Sequence, residues 1–72
     1  MQGKILGVQA GDDERLLSPR ELADRYSIPV QTVYVWRMNN KGPRGFQVGR
    51  HVRYRHSEVL AWEQSQLDKE HA

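Results

Sequence analysis

The side chains with the clearest chemical potential in this sequence are arginines gathered in one stretch. Residues 37–55 carry six cations and no aspartate or glutamate. A planar guanidinium group presents paired N–H donors that match the oxygens of a phosphate. The stretch therefore favours nucleic acid as a partner, while charge by itself leaves open a plain solvated surface. The six cations are Arg37, Lys41, Arg44, Arg50, Arg53 and Arg55.

A second set of candidate contact residues lies between residues 30 and 40. If this segment is a helix, a step of about 100° per residue places Val33 and Trp36 on one side. The opposite side has neither Glu nor Lys, the residues that usually cover an exposed helix. Its amide side chains suit adenine, and Val35 suits a thymine methyl group, whereas Tyr34 is equally compatible with a plain surface role. This outward side carries Gln31, Thr32, Tyr34, Val35, Met38 and Asn39, and all of these except Met38 are predicted contacts.

The remaining titratable residues form no catalytic or metal-binding pattern. The sequence has no cysteine, and its three histidines lack the spacing of metal ligands. The carboxylate pairs Asp12-Asp13 and Glu58/Glu63 have no pocket that would raise one of their pKa values. We therefore predict no enzymatic activity, no metal and no cofactor. We expect all three histidines at the surface.

Length and composition bound the class of protein. With 72 residues and a mass of 8.4 kDa, the chain has room for one domain. The mean hydropathy of −0.81 and the absence of a long apolar run exclude a transmembrane helix and a signal-peptide core. Because the absence of cysteine suits a reducing compartment, we expect a soluble cytoplasmic domain without membrane contact.

Two short helices are predicted in the first half of the chain. Ser18 followed by Pro19 and Glu21 forms a capping-box pattern, which predicts a helix start. Leu22, Ala23 and Tyr26 share the inner side of this helix. The segment 27–29 ends it, because a proline disfavours helical geometry in the residue before it. The second helix follows and ends at residues 39–43, which include a glycine and a proline.

A hairpin is predicted after the second helix. Residues 46–48 and 52–55 alternate apolar and polar side chains, and Gly49-Arg50-His51 supplies a turn between them. We expect Arg53, Arg55 and His51 to face water or a partner. Four side chains are expected to face the core: Phe46, Val48, Val52 and Tyr54.

The last predicted helix begins at a Ser57 cap, with Glu58 in its first turn. Its expected buried side consists of Val59, Leu60, Trp62 and Leu67. Because Trp36 and Trp62 lie on inner helix faces, we predict that both pack in the core rather than on bases.

The predicted elements divide the chain into three parts. Residues 1–14 combine three glycines, an apolar patch over residues 5–8 and an acidic run over residues 12–14, which predicts a flexible N-terminal arm. Residues 15–68 form the predicted domain, and residues 69–72 form a C-terminal tail. The domain is α+β and mostly helical, with a helix-turn-helix, a two-stranded basic wing and a C-terminal helix.

The stretch LLSPRELADRYSIPVQTVYVWR followed by GFQVGRHVRYRHSEVLAW resembles the excisionase-type winged helix-turn-helix, which is related to MerR DNA-binding domains. The resemblance covers residues 16–62, and its most specific parts are Thr32-Val33-Tyr34, Trp36, Arg53-Tyr54-Arg55 and Ala61-Trp62. One position departs from the family: Pro29 stands where a serine is common, and its side chain accepts no amide hydrogen bond.

The resemblance implies that the protein binds double-stranded DNA, with the second helix in the major groove and the wing in the adjacent minor groove. Some members of this family bend phage or plasmid DNA in a bacterial host and direct an integrase toward excision. A monomer that binds cooperatively beside further copies of itself on DNA is the assembly expected here. A small transcriptional regulator is the alternative function, and a protein-interaction module that uses its second helix is the third.

Overall fold

The computed structural model describes residues 15–71. The predicted order of helix, turn, helix, hairpin and helix is confirmed, and the fold is a mostly helical winged helix-turn-helix. The predicted arm, residues 1–14, lies outside the described residues. A short first strand was not predicted. The elements in chain order are β1 (Leu16–Leu17), α1 (Pro19–Tyr26), α2 (Val30–Met38), β2 (Gly45–Val48), β3 (His51–Arg55) and α3 (His56–Glu70).

Helix α1 begins and ends as its sequence predicts. The Glu21 backbone N–H donates to Ser18 Oγ at 3.1 Å, and the Ser18 N–H donates to Glu21 Oε1 at 2.8 Å. This reciprocal capping box satisfies two amides that the helix leaves without partners. Ser27 ends the helix in the left-handed region, with φ of 56°. The chain is thereby turned within three residues into α2.

Helix α2 begins after Pro29, which provides no side-chain cap, as its chemistry predicts. Asn40 and Gly42 both adopt positive φ beyond the helix end. Gly42 is required by space as well as by φ, because a Cβ there would lie 2.8 Å from the Trp36 ring. The turn at Gly42 therefore depends on the indole packed beneath it.

The three strands form an antiparallel sheet in the order β1-β3-β2. β2 and β3 are joined by the two residues Gly49 and Arg50, and Val48 pairs with His51. Gly49 has positive φ and Arg50 does not, which is the φ pattern of a type II′ turn. The predicted turn of three residues was one residue too long, because His51 belongs to the strand.

This register corrects the predicted faces of the hairpin. Phe46 lies opposite Arg53, and directly opposed residues share a face of the sheet. Phe46 and Val48 therefore lie on the outer face with the wing cations, and Val48 is 51% exposed. The prediction that these two side chains face the core was wrong, since a shift of one residue moves a strand's side chains to the other face. Tyr54 and Val52 face inward as predicted.

Helix α3 follows β3 without an intervening residue. The N-cap position is Arg55, without a side-chain cap, and the His56 N–H donates to the Arg15 carbonyl at 2.9 Å. The predicted Ser57 cap is wrong, because α3 begins at His56, whereas a Ser57 cap would make Glu58 the first helical residue. The helix runs to Glu70 and so includes the first two residues of the segment 69–72.

The inner side of α3 is narrower than the sequence predicted. Val59 is fully buried, whereas Leu60 is 47% and Leu67 is 51% exposed. Leu60 and Leu67 lie about 80–100° around the helix from Val59, so they fall on its flank. The expectation that both leucines are buried was therefore wrong.

The core is small and is extended by aromatic rings. Tyr26, Trp36 and Trp62 contact one another, with ring centroids 5.1–6.2 Å apart. The packing role predicted for both tryptophans is confirmed, although both are only partly buried. No helix within residues 15–71 has the length and apolar character needed to cross a membrane. The buried core residues are Leu17, Leu22, Ala23, Val33, Tyr54 and Val59.

Candidate nucleic-acid interface

The outer side of α2 presents polar and apolar groups to solvent. Val33 is fully buried, and Val35, two residues later, is exposed on the opposite side. No acidic residue stands in the first turn of α2, which favours an anion at this end of the helix. Thr32 is partly buried at the margin of this side. The exposed members of the predicted set are Gln31, Tyr34, Val35 and Asn39.

Met38 is a contact candidate that was left out of the predicted site. It belongs to the same outer side and is 79% exposed, more than any other large apolar side chain of residues 15–71. The sequence signal was present, since the helical spacing places Met38 beside Val35. A flexible thioether of this kind adapts to the surface it meets.

Arg37 connects α2 to the wing. Its Nη1 donates to the Gly45 carbonyl at 3.1 Å, and the side chain is partly buried. Gly45 in turn packs against Tyr54, where a Cβ would lie 2.7 Å from the ring. Arg37 therefore has a structural partner in addition to any phosphate or base that its other N–H groups meet.

Three arginines surround Gly45. Arg37 and Arg44 line a shallow pocket of about 240 Å³ that also includes Gly45. Arg44 and Arg55 line a second pocket of about 150 Å³, again beside Gly45. The fold thus brings together cations that are 18 residues apart in sequence, at the junction of α2 and the wing. Such a cluster is suited to the oxygens of a phosphate.

The outer face of the wing combines cations with apolar side chains. The Arg55 guanidinium lies 5.7 Å from the centre of the Phe46 ring. Arg53 is partly buried, and its Nη1 donates to the Val52 carbonyl at 2.7 Å. Arg50 in the turn and His51 beside it are exposed. Phe46 and Val48 were missed as candidates, and only the length of the turn could have identified them.

Lys41 and Asn39 lie apart from the Gly45 cluster. Both line a groove between the C-terminal end of α2 and helix α3, together with Trp62 and Lys69. The predicted contact residues are thus divided among the outer side of α2, the Gly45 cluster, the wing and this groove.

Charges on the flanks limit the basic surface. The pKa of the Glu21 carboxyl is lowered, chiefly by the Ser18 backbone N–H and further by Arg15 and Arg53 nearby. Glu58 lines the smaller arginine pocket. Within residues 15–71, no three His, Asp or Glu side chains stand together in a way that could hold a metal ion. The described interface is therefore a cationic surface with acidic margins.

Comparison with known proteins gives one family. A family model for a helix-turn-helix domain matches residues 16–67. No curated protein and no solved structure matches the chain. The matched residues include every helix and strand described above, except the last three residues of α3. With its two short helices, basic wing and arginine cluster, the chain belongs to the helix-turn-helix domain family, and this membership supports DNA as its partner.

Proposed function

We propose that the protein is a sequence-specific DNA-binding excisionase that binds attachment-site DNA, bends it and directs an integrase toward excision. The observation that carries the DNA-binding part is the arginine cluster at Gly45, which lies between α2 and the wing. A cation cluster at this junction suits the phosphate backbone that separates a major groove from the next minor groove. The helix-turn-helix membership supports the same partner.

The two flanking surfaces would read the two grooves. The major groove is about 12 Å wide and admits a helix, so the exposed side of α2 would meet base edges there. Arg50 stands in the two-residue turn of the wing, where a narrow hairpin can enter a minor groove. The contacts would come from Gln31, Thr32, Tyr34, Val35, Arg37, Asn39, Lys41, Arg44, Arg50, His51, Arg53 and Arg55.

The excisionase part of the proposal rests on the resemblance and on size. A single small module typically buries only about 600–1,000 Å² on DNA, which limits its specificity. Cooperative binding of several copies along adjacent sites would extend the recognised length. Bending of the duplex would then bring distant integrase sites together.

A gel-shift assay with salt titration tests DNA binding. Arg50→Ala should weaken binding to all sequences and lower the slope of log affinity against log salt by about 0.9, because one phosphate contact no longer releases a counterion. Arg20→Ala is the matched control, since Arg20 is exposed on α1 outside the proposed interface. An unchanged slope for Arg50→Ala would contradict the wing assignment.

A recombination assay tests the excisionase part. With a tyrosine or serine integrase and a duplex carrying both of its attachment sites, the protein should raise the yield of excised product at least tenfold. Specific binding without any effect on excision would exclude the excisionase role and favour a transcriptional regulator.

A further inference from the structure

A groove between α2 and α3 is lined mainly by residues outside the proposed DNA contacts, and only Asn39 and Lys41 belong to both sets. It encloses about 640 Å³. Trp36 and Trp62 line it, with ring centroids 5.1 Å apart. It stays open at Gly42, where any side chain would collide with the Trp36 ring. The two partly buried indoles contribute the apolar part of a groove whose lining is otherwise mostly polar.

The polar lining of the groove selects for a particular chemistry. Lys41 and Lys69 contribute positive charge, and none of the lining residues is acidic. Asn40, Ser65 and Gln66 supply groups that can pair with a peptide backbone. A ligand that satisfies all three features is a peptide with an apolar segment and several carboxylates. A DNA backbone offers anionic oxygens but no apolar group for the indoles.

The sequence before Arg15 has this chemistry. Ile5, Leu6 and Val8 form an apolar patch, and the run Asp12-Asp13-Glu14 follows it. The spacing between patch and run allows an extended segment to reach both an apolar surface and a cation about 15–20 Å away. The charge of the run is opposite to that of the groove.

Within one chain, an extended segment cannot place the acidic run at Lys69 and the apolar patch on the tryptophans together. Asp12 reaches Lys69 only when residues 12–15 are fully stretched, and residues 5–8 then lie beyond Trp62. The Arg15 carbonyl is fixed to the His56 N–H at the start of α3. Asp12 is three residues from Arg15, a span of at most about 11 Å. Lys69 lies thirteen residues along α3 from His56, which is about 20 Å. We infer that the groove holds residues 1–14 of a second copy of this chain.

This contact would supply the cooperativity of the proposed function, and the inference rests on that function for its biological role. Each copy would offer one acidic segment and one groove. Such a head-to-tail contact does not close on itself, so it joins copies in a row. DNA would set the length of the row by the number of sites it offers.

A peptide titration without DNA tests the contact. The peptide of residues 1–14 contains no tryptophan or tyrosine, and the full chain has only two tryptophans, Trp36 and Trp62. Adding the peptide to the full chain should therefore shift the tryptophan emission to shorter wavelength in a saturable way. A peptide with Asn, Asn and Gln at positions 12–14 should bind at least fivefold more weakly, because it lacks the opposite charges. Absence of a saturable shift at millimolar peptide would overturn the inference.

A charge-reversal experiment tests whether the groove is the surface that binds the peptide. Lys69→Glu should weaken the wild-type peptide about tenfold, and a peptide with Lys at positions 12–14 should recover affinity for this variant. Arg20→Glu is the matched control, since it changes the net charge equally on α1, outside the groove lining. Equal weakening by both variants would show a general charge effect and overturn the assignment. A different result would also overturn the assignment. In that result a short duplex shifts the tryptophan emission and Lys69→Glu abolishes this shift, whereas the peptide produces no shift.

Binding to DNA separates this inference from the proposed function. Lys69→Glu should leave affinity for a one-site duplex unchanged and lower cooperativity on a three-site duplex about tenfold. Loss of one-site binding would assign the groove to DNA and overturn the inference. Failure of the wild-type chain to bind any duplex would contradict the proposed function, whereas the peptide titration would still decide whether the groove binds residues 1–14.

Discussion

The Glu63 carboxylate joins the first and last helices through two partners. Arg25 donates to it through Nε at 2.6 Å and Nη2 at 2.9 Å, and the Tyr26 hydroxyl donates at 2.6 Å. The Arg25 hydrogen bonds hold the pKa of Glu63 below its usual range. Burial, followed by the hydrogen bond to Glu63, raises the pKa of Tyr26. This cluster fixes α3 against α1 beside the aromatic rings.

Glu63→Gln should lower the free energy of unfolding by about 1 kcal/mol at pH 7. A neutral amide then replaces a carboxylate that accepts hydrogen bonds from Arg25 and Tyr26 at a partly exposed site. Urea denaturation measures the change. Glu70→Gln, an exposed change on the same helix, should alter stability by less than about 0.5 kcal/mol.

The dependence of stability on acid pH should also differ between the wild-type chain and Glu63→Gln. A lowered folded-state pKa means that the Glu63 contribution is present above about pH 4.5 and lost as pH falls through the folded pKa. Loss of stability below pH 4.5 should therefore be smaller in Glu63→Gln, and identical acid profiles would contradict the role given to Glu63.

Gly45→Ala should destabilise the domain by about 2 kcal/mol, because the added Cβ meets the buried Tyr54 ring at 2.7 Å. Thermal unfolding by circular dichroism measures this effect. Gly49→Asn is the comparison, since Gly49 has open space around it and Asn tolerates positive φ. Gly49→Asn should reduce stability by less than half as much as Gly45→Ala. Equal losses of stability would show that the contact with Tyr54 does not matter.

The outer side of α2 should control preference among DNA sites. Gln31→Ala or Val35→Ala should reduce discrimination between the preferred site and a single-base variant by about 1–3 kcal/mol per lost base contact. Competition gel shifts with specific and random duplexes measure this quantity. Thermal stability should stay within about 0.5 kcal/mol, because both side chains are exposed. An equal loss of affinity for specific and random DNA would contradict base reading by α2.

The helices were more predictable than the wing because their signals are local. Ser18 and Glu21 are three residues apart, and their reciprocal hydrogen bonds need no other part of the chain. The face of Phe46, in contrast, depends on whether the turn holds two residues or three, and the alternation of residues 46–55 fits both. The short strand β1 is held by Arg55 and Tyr54, about 38 residues away, so nothing near Leu16 indicates it.

The candidate site was predictable by residue type but not by arrangement. Arg37, Arg44 and Arg55 were selected for their charge, yet their convergence on Gly45 requires the register of the wing and the turn at Gly42. The groove that Lys41 and Lys69 both line could not be predicted from the sequence either, because it depends on how α3 packs beside Trp36. Charge patterns identify candidates, and long-range packing decides which of them act together.

The protein should be a monomer in solution and bind neighbouring sites on DNA cooperatively. Sedimentation at micromolar concentration should give a single species near 8.4 kDa. Footprinting should give at least tenfold higher affinity per site on a three-site duplex than on a one-site duplex, with slower gel mobility that depends on the position of the sites within the fragment. Equal affinity per site and unchanged mobility would contradict both cooperativity and bending.

The direct passage from β3 into α3 has a mechanical consequence. Arg55 ends the strand and occupies the N-cap position of the helix, and the next N–H, that of His56, donates to the Arg15 carbonyl. No linker residue therefore separates β3 from α3. A displacement of the wing would therefore pass directly into the first turn of α3. The helix is about 22 Å long, so a tilt of about 5° would move Glu70 by about 2 Å relative to His56, and the Glu63 contacts to α1 would resist it. If the proposed complex with DNA deforms the wing, the strain would therefore pass through this joint into α3 and on to α1 through Glu63.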